Sequence, residues 1–452
     1  MTDADAAGPD DRHFLFLQGP SSPIFRKIGK HLEERGHRVS RVNICAGDWV
    51  FWHGAATTSY RGRPAAWGGF IEKLCLRNRI TDLVLLGEER PYHKVAAEVC
   101  RRHCADIYVV EMGYLRPDWL TLERGGMSTN SHFPNDPQHI LSAARGLPDP
   151  DFRPRYAQRF LTEALSDLAF NLPNVFLWFL YPHYRPHAVD HPLAEYGGWV
   201  RKFFTTRRTG RQAQTILGAL RHSKAPYFLF PLQLETDYQI RVHSPFSSQR
   251  EALEHIVRAF AEGAPGDHHL AVKAHPLDNG LRDWAAMCRE TAARFGLSER
   301  VHYLARCDLA DLIDDASGVV TINSTVGIHA LIAGRPVKAL GTAIFDIAGM
   351  TDHQALRDFF RRPLPPDIDI RDAFLRLLAA SIQVRGNFYS RTGSDAGAQA
   401  IAERLSRRLV NEPGAFVPVP PRRRDGSPPS RVAAQAARLC RSDTHLPHNT
   451  SH

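Results

Sequence analysis

The sequence has little of what would carry a chain out of the cytoplasm or through a bilayer. No apolar run approaches the roughly 20 residues a transmembrane helix needs; the best, Val175–Tyr181, stops at Pro182. Met1–Arg12 is acidic and lacks the basic start and apolar core of an export signal, so a cytoplasmic protein is expected, with membrane contact at most peripheral on the inner face. Cysteine is scarce: seven residues, an odd number scattered from Cys45 to Cys440, make no disulfide framework and fit a reducing compartment. Cys100, His103 and Cys104 share a predicted helix without a second ligand pair, so no metal site is expected there. The first βα turn, Gln18-Gly19-Pro20-Ser21-Ser22-Pro23, has one glycine and two prolines. That is not the glycine fingerprint of dinucleotide folds and argues against a dehydrogenase.

What is present is the composition of a globular protein, with 43% hydrophobic and 23% charged residues. A length of 452 residues suits two domains plus extra segments. The net charge is +9, of which +4 belongs to residues 421–452, where six Arg face two Asp. The remainder is compatible with anionic substrates or an anionic lipid surface and singles out neither. No nucleic-acid partner is expected.

Strand-like runs alternate with helical patterns twice. In the first half, Phe14–Leu17, Arg38–Ile44, Asp82–Leu86 and Ile107–Val110 read as buried strands, with helices at Ile24–Arg35 and His93–His103. In the second half, Tyr227–Phe230, His269–Val272, Val301–Leu304, Val319–Ile322 and Val337–Leu340 repeat the pattern. The fold class expected is α/β, with two Rossmann-like domains facing across a cleft and a helical connector, the GT-B arrangement. The boundaries expected are a disordered start at 1–12, an N-terminal acceptor or catalytic domain at 13–153 and the connector at 154–223. A nucleotide-sugar-binding domain at 224–394, a helix at 395–410 and a disordered basic tail at 411–452 complete the chain.

Strand exits are where such folds place chemistry. Asn323-Ser324-Thr325 precedes a helix, so backbone N–H groups and two hydroxyls could meet a phosphate. Ser324 or Thr325 could equally be a plain helix cap. Lys273-Ala274-His275-Pro276 puts a cation and an imidazole beside a proline-fixed turn, suited to a diphosphate or a sugar carboxylate. A third exit runs from Gln233 through Asp237 to His243 and Ser244, with polar groups for a base, ribose or sugar. In the first half, Glu111 and Arg116 follow a strand, with Asp118 and Glu123 close behind. A carboxylate beside an arginine there suits acid/base or nucleophilic work on a sugar, though it also occurs as a structural ion pair.

The segments FLQGPSSPIF, GDW at Gly47–Trp49, TDLVLLGEERPYH, EMGYLRPDWLTLE, YPHYRPH, PLQLETDYQIRVHSPF, KAHPLDNG and NSTVGIHALIAGRPVKALG occur in order from Phe14 to about Ser394. Together they resemble the capsular polysaccharide biosynthesis proteins of the KpsS/LipB type. The resemblance implies a retaining β-Kdo transferase that takes Kdo from CMP-Kdo and starts a Kdo linker on a lysophosphatidylglycerol-type lipid. It would need no cofactor beyond the donor, and would work with a lipid acceptor at the inner membrane surface and with other capsule biosynthesis and export proteins.

By the matching motifs, Lys273, His275, Pro276, Ser324 and Thr325 would bind donor phosphate or carboxylate, and Gln233 and Asp237 the nucleotide. Asn323, His243 and Ser244 would be additional donor-side positions. Glu111 and Arg116 would face the transferred sugar. Related Kdo transferases carry an acidic residue directly before the Gly of this motif, where this chain has Met112. The nucleophile is then Glu111 itself or another carboxylate such as Asp48, Asp118 or Glu123. Two other functions fit the same residues: a non-catalytic sugar-nucleotide-binding subunit of a capsule assembly complex, and a GT-B-type epimerase or hydrolase of a nucleotide sugar. Only a transferase makes a glycolipid.

Overall fold

Short runs rich in Val, Ile, Leu and Phe, with side chains alternating between two covered faces, build the sheets. The computed structural model describes residues 12–157, 160–186, 192–235 and 238–423. Its strands in chain order are β1 (His13–Phe16), β2 (Arg38–Asn43), β3 (Thr57–Ser59), β4 (Asp82–Leu86), β5 (Asp106–Met112) and β6 (Trp119–Arg124). They continue with β7 (Tyr227–Pro231), β8 (His269–Lys273), β9 (Val301–Leu304), β10 (Gly318–Thr321), β11 (Val337–Ala339) and β12 (Gln383–Arg385). All nine strands expected from the sequence are present; β3, β6 and β12 are additional.

The chain divides into two compact units, one of Met1–Phe133, Pro150–His187 and Leu378–His452, the other of Pro134–Asp149 and Ala188–Leu377. In the first, the sheet order is β12-β6-β5-β4-β1-β2-β3. The five strands β5-β4-β1-β2-β3 are parallel, while β6 runs antiparallel to β5 and β12 antiparallel to β6. Only six residues separate Met112 from Trp119, too few for the crossover a parallel return needs, so β6 turns back. Phe14, Phe16, Val84, Leu86, Tyr108 and Val110 pack on one face. Leu15, Leu83, Leu85, Ile107 and Val109 pack on the other.

The second unit carries a wholly parallel sheet, β11-β10-β7-β8-β9. Phe228, Phe230, Val272 and Val320 from its strands meet Leu253, Phe260, Phe359 and Phe360 from the helices. In both sheets the chain starts centrally, moves to one edge and then returns past the first strand. The switch points fall between β1 and β4 and between β7 and β10, where ligands of such sheets bind beyond the carboxyl ends.

Several boundaries differ from those expected. The second unit ends at Leu377, not 394, because β12 pairs with β6 and the helix Arg391–Ser406 buries Ala398, Ile401, Ala402 and Leu405 in the first unit's core. The connector is helical, but its helices Phe160–Phe176 and Pro192–Ser223 belong to different units. Arg12, expected in the disordered start, is buried: its Nε donates to Asp82 Oδ2 at 3.0 Å and a second nitrogen reaches the Tyr108 hydroxyl at 3.2 Å.

The tail expected to be disordered from 411 is ordered to Arg423. Arg124 N donates to Asn411 Oδ1 at 2.8 Å, Val417 N to the His132 carbonyl at 2.8 Å, and Arg422 to the Phe133 carbonyl. Phe416 stacks on His132 at 4.4 Å, with Arg124 over its ring. Residues 424–452 lie outside the described residues. Cys45, Cys75, Cys100, Cys288 and Cys307 are free thiols, while Cys104 is disulfide-bonded.

Candidate functional site

In the second unit, the exits of β7 and β10 are tied at the switch point. Gln233 Nε2 donates to Asn323 Oδ1 at 2.9 Å, and Asn323 N donates to Gln233 Oε1 at 3.2 Å. Both residues are buried. Gln233 N in turn donates to Gln249 Oε1 at 2.5 Å, which fixes the loop to the start of the helix Gln249–Gly263. This pairing makes the two strand ends one rigid rim.

Ser324 and Thr325 follow directly. Ser324 Oγ accepts from Val326 N at 3.3 Å, a turn bond made one residue ahead of the helix cap. Thr325 occupies the cap position of the helix Val326–Ile332 without a side-chain cap bond. One strand over, Lys273 is buried at the end of β8, and its ammonium donates to the Ala274 carbonyl at 3.1 Å. His275 is half-buried; its Nδ1 accepts from Leu277 N at 3.1 Å, which puts the proton of a neutral ring on Nε2. Pro276 is exposed beside it.

The remaining donor-side residues do different work. The buried His243 offers its carbonyl to Thr342 N at 2.8 Å, and Ser244 Oγ donates to the Ile240 carbonyl at 2.5 Å. Both therefore hold the loop that backs Gly341, where a Cβ would lie 3.0 Å from the His243 carbonyl oxygen. Asp237 lies outside the described residues.

In the first unit, the four candidate carboxylates separate by access. Asp48 is 1% exposed and bound to Arg41 at 3.2 Å, with Ile44 N donating to it at 3.0 Å. Asp118 is 0% exposed and accepts from Arg155 N and, at 2.9 Å, from Tyr156 N, so it pins the segment after it. Glu123 is 0% exposed and accepts from the hydroxyls of Tyr114, at 3.1 Å, and Ser131. Burial pushes its carboxyl up to about 8, so it is largely protonated at neutral pH. Glu111 alone of the four is partly exposed.

Glu111 stands on β5, beside the exit of β4, and its Oε1 accepts from Met112 N at 3.0 Å. Gly87, at φ +62°, comes so close that a Cβ there would sit 3.5 Å from Glu111 Oε2 and 4.0 Å from Arg90 Nε. Arg90 also donates to Gln18 Oε1 at 3.2 Å, joining the exits of β1 and β4. Arg116 is exposed, its Nε reaching the Gly113 carbonyl at 3.4 Å. On the helix Phe160–Phe176, burial and then Asp167 raise the Glu163 carboxyl above its ordinary value, with Arg116 opposing. Burial, together with the fields of Glu163, Asp167 and Glu111, raises the Tyr389 phenol to about 12. The first unit thus gathers a partly exposed carboxylate, arginines and further carboxylates beyond its sheet's carboxyl edge.

Gln18, Glu88 and Arg90 were not among the residues singled out from the sequence. Glu88 is buried, accepts from Met127 N at 2.6 Å and is raised by burial to about 7. All three flank the β1 and β4 switch point, so strand order was the signal that could have found them. Among the described residues, no group of three or more His, Cys, Asp or Glu is placed to hold a metal ion, and no helix is long and apolar enough to cross a membrane.

The family model of capsule polysaccharide biosynthesis proteins matches residues 81–389. The chain belongs to that family. It is 31% identical over 387 residues to the capsule polysaccharide modification protein LipB of Neisseria meningitidis serogroup B, spanning 84% of this chain and 92% of LipB. It is 28% identical over 383 residues to the capsule polysaccharide export protein KpsS of Escherichia coli, spanning 84% of this chain and 97% of KpsS. Among solved structures, the β-Kdo 2,7 transferase KpsC of Thermosulfurimonas dismutans aligns over 88% of this chain and 100% of its own, at 16% identity and a TM-score of 0.44. Glu111, Arg116, Lys273, His275, Ser324 and Thr325 all fall inside the family match, whereas Asp48 precedes it.

Proposed function

We propose that this capsule-family protein is a glycosyltransferase: a retaining β-Kdo transferase that moves Kdo from CMP-Kdo to a lysophosphatidylglycerol-type lipid and so starts the capsule linker. The observation that carries the reading is the accessibility of Glu111 near Arg90, while Asp48, Asp118 and Glu123 are buried in structural bonds. A nucleophile has to reach its electrophile, and Glu111 is the carboxylate that can.

In this reading a Glu111 oxygen attacks the anomeric carbon of Kdo, the bond to the CMP phosphate breaks, and CMP leaves with the electron pair. The acceptor hydroxyl then attacks the same carbon, loses its proton to a base and releases Glu111. Two inversions give net retention. Lys273, His275 Nε2 and Thr325 bind the donor's phosphate, with Ser324 shaping the turn and Gln233 and Asp237 holding the nucleotide. Arg116 takes the sugar carboxylate. No cofactor takes part; the partners are the donor, a lipid at the cytoplasmic face of the inner membrane and other capsule proteins.

The test incubates the protein with CMP-Kdo and lysophosphatidylglycerol and follows the lipid by mass. Wild type should convert the lipid to a Kdo glycolipid, His275→Ala should lose at least a hundredfold in rate while keeping its fold, and Glu111→Gln should give none. Release of CMP with no glycolipid, or no turnover of the donor at all, would replace this function with a hydrolase or a binding subunit.

A further inference from the structure

The helix Phe160–Phe176 packs one face on Ala46–Phe51, where Asn174 Oδ1 accepts from Gly47 N at 2.8 Å and Phe170 stacks on Phe51 at 6.5 Å. On its other face, large apolar side chains meet solvent. Leu161 is 69% exposed, Leu165 56% and Phe176 69%, and the turn that follows adds Trp178 at 64% and Phe179 at 58%. At 3.6 residues per turn, Leu161, Leu165, Leu172 and Phe176 fall on one stripe. A contiguous stripe of this size is not left to water without reason, because covering large apolar side chains is favourable and exposed patches mark interaction surfaces.

The surroundings say what covers it. Arg61 lies 6.0 Å from the ring of Tyr181 at the end of the apolar segment, and Arg185 follows four residues later. Both are exposed, and among the described residues neither forms an ion pair. Leucine and aromatic side chains edged by cations are the composition of helices that lie in a headgroup layer, with Trp and Phe at the boundary and arginines on the phosphates. A second copy of this chain fits less well, since a twofold contact would bring the same arginines towards one another. Crossing the bilayer is ruled out for this helix by its length and by Glu163 and Asp167.

We propose that the stripe from Leu161 to Phe179 docks this protein on an anionic lipid bilayer, lying in its surface with Arg61 and Arg185 on the headgroup phosphates. The proposal goes beyond the transferase reading and does not need Glu111 to be a nucleophile. It places the acceptor's own phase against the unit that holds Glu111.

The experiment is vesicle flotation of the full chain without donor, using vesicles of equal parts phosphatidylglycerol and phosphatidylcholine and of phosphatidylcholine alone. Wild type should float with the anionic vesicles, at least tenfold more tightly than with the neutral ones, and release as salt rises. L165E/F179E should lose at least tenfold in binding with an unchanged melting temperature, since both side chains are exposed, and R61E/R185E should lose the preference for phosphatidylglycerol. Wild type that stays with neither vesicle, or variants that bind as wild type does, would overturn the proposal. So would light scattering that shows a dimer broken by L165E/F179E without vesicle binding, because the stripe would then be a contact between copies.

Discussion

Gln233 and Asn323 clasp each other across the switch point of the second sheet, side chain to side chain at 2.9 Å and backbone N–H to side chain at 3.2 Å. The pair joins the loop after β7 to the loop that carries Ser324 and Thr325. A donor bound by either loop therefore meets a rim that is already ordered, which reduces the entropy lost on binding.

Replacing Gln233 with Leu keeps the volume but removes the two bonds that Gln233 makes to Asn323, at its backbone N–H and its side-chain oxygen. Stability should fall by about 1–3 kcal/mol, read from urea unfolding, and donor affinity should fall with it. Unchanged stability would show that the clasp is not holding the loops.

Glu123 gives a pH prediction. Burial raises its carboxyl from an ordinary 4.5 to about 8, so the folded protein binds this proton more tightly than the unfolded chain does. Its contribution to stability is present in full below about 4.5 and is lost as pH rises through about 8. Glu88, raised to about 7, acts in the same direction. The melting temperature should fall between pH 6 and pH 9, and Glu123→Gln should flatten that fall. A variant that keeps the full wild-type slope would clear Glu123 of the effect.

Truncation separates the ordered part of the C-terminal segment from the rest. Ending the chain after Gly414 removes the Val417 bond to His132, the stack of Phe416 on His132 and the Arg422 bond to Phe133. That protein should be about 1–3 kcal/mol less stable than one ending after Arg423, measured by denaturant unfolding. Equal stability of the two would mean that these contacts contribute nothing.

The sequence was most legible where one element carried its own signal. The buried strands of both sheets, from Phe14–Leu17 to Val337–Leu340, were each a short apolar run bounded by turn residues, and all were found. β3 and β12 are three residues long, and their pairing depends on a neighbour far away in sequence, so no local pattern could mark them. β6 was hidden inside a segment read for its charged residues, although Trp119, Leu120 and Leu122 are all buried. A return of the chain to the first domain is expected from the sequence only at the helix Asp395–Leu409; it begins earlier, at Leu378, because it depends on Gln383 meeting Thr121.

The site was legible in kind more than in rank. Sequence put four carboxylates forward, and only tertiary packing could bury three of them. Likewise, the apolar stripe of Leu161, Leu165, Leu172 and Phe176 could be written down from spacing, but that it meets solvent could not.

The most direct test of the account is intact-protein mass after incubation with CMP-Kdo and no acceptor. Wild type should accumulate the mass of one Kdo residue, mapping to the peptide that contains Glu111, and Glu111→Gln should bind the donor with nearly unchanged affinity yet gain nothing. An adduct on another residue, or full glycolipid synthesis by Glu111→Gln, would contradict the assignment of Glu111 as the nucleophile.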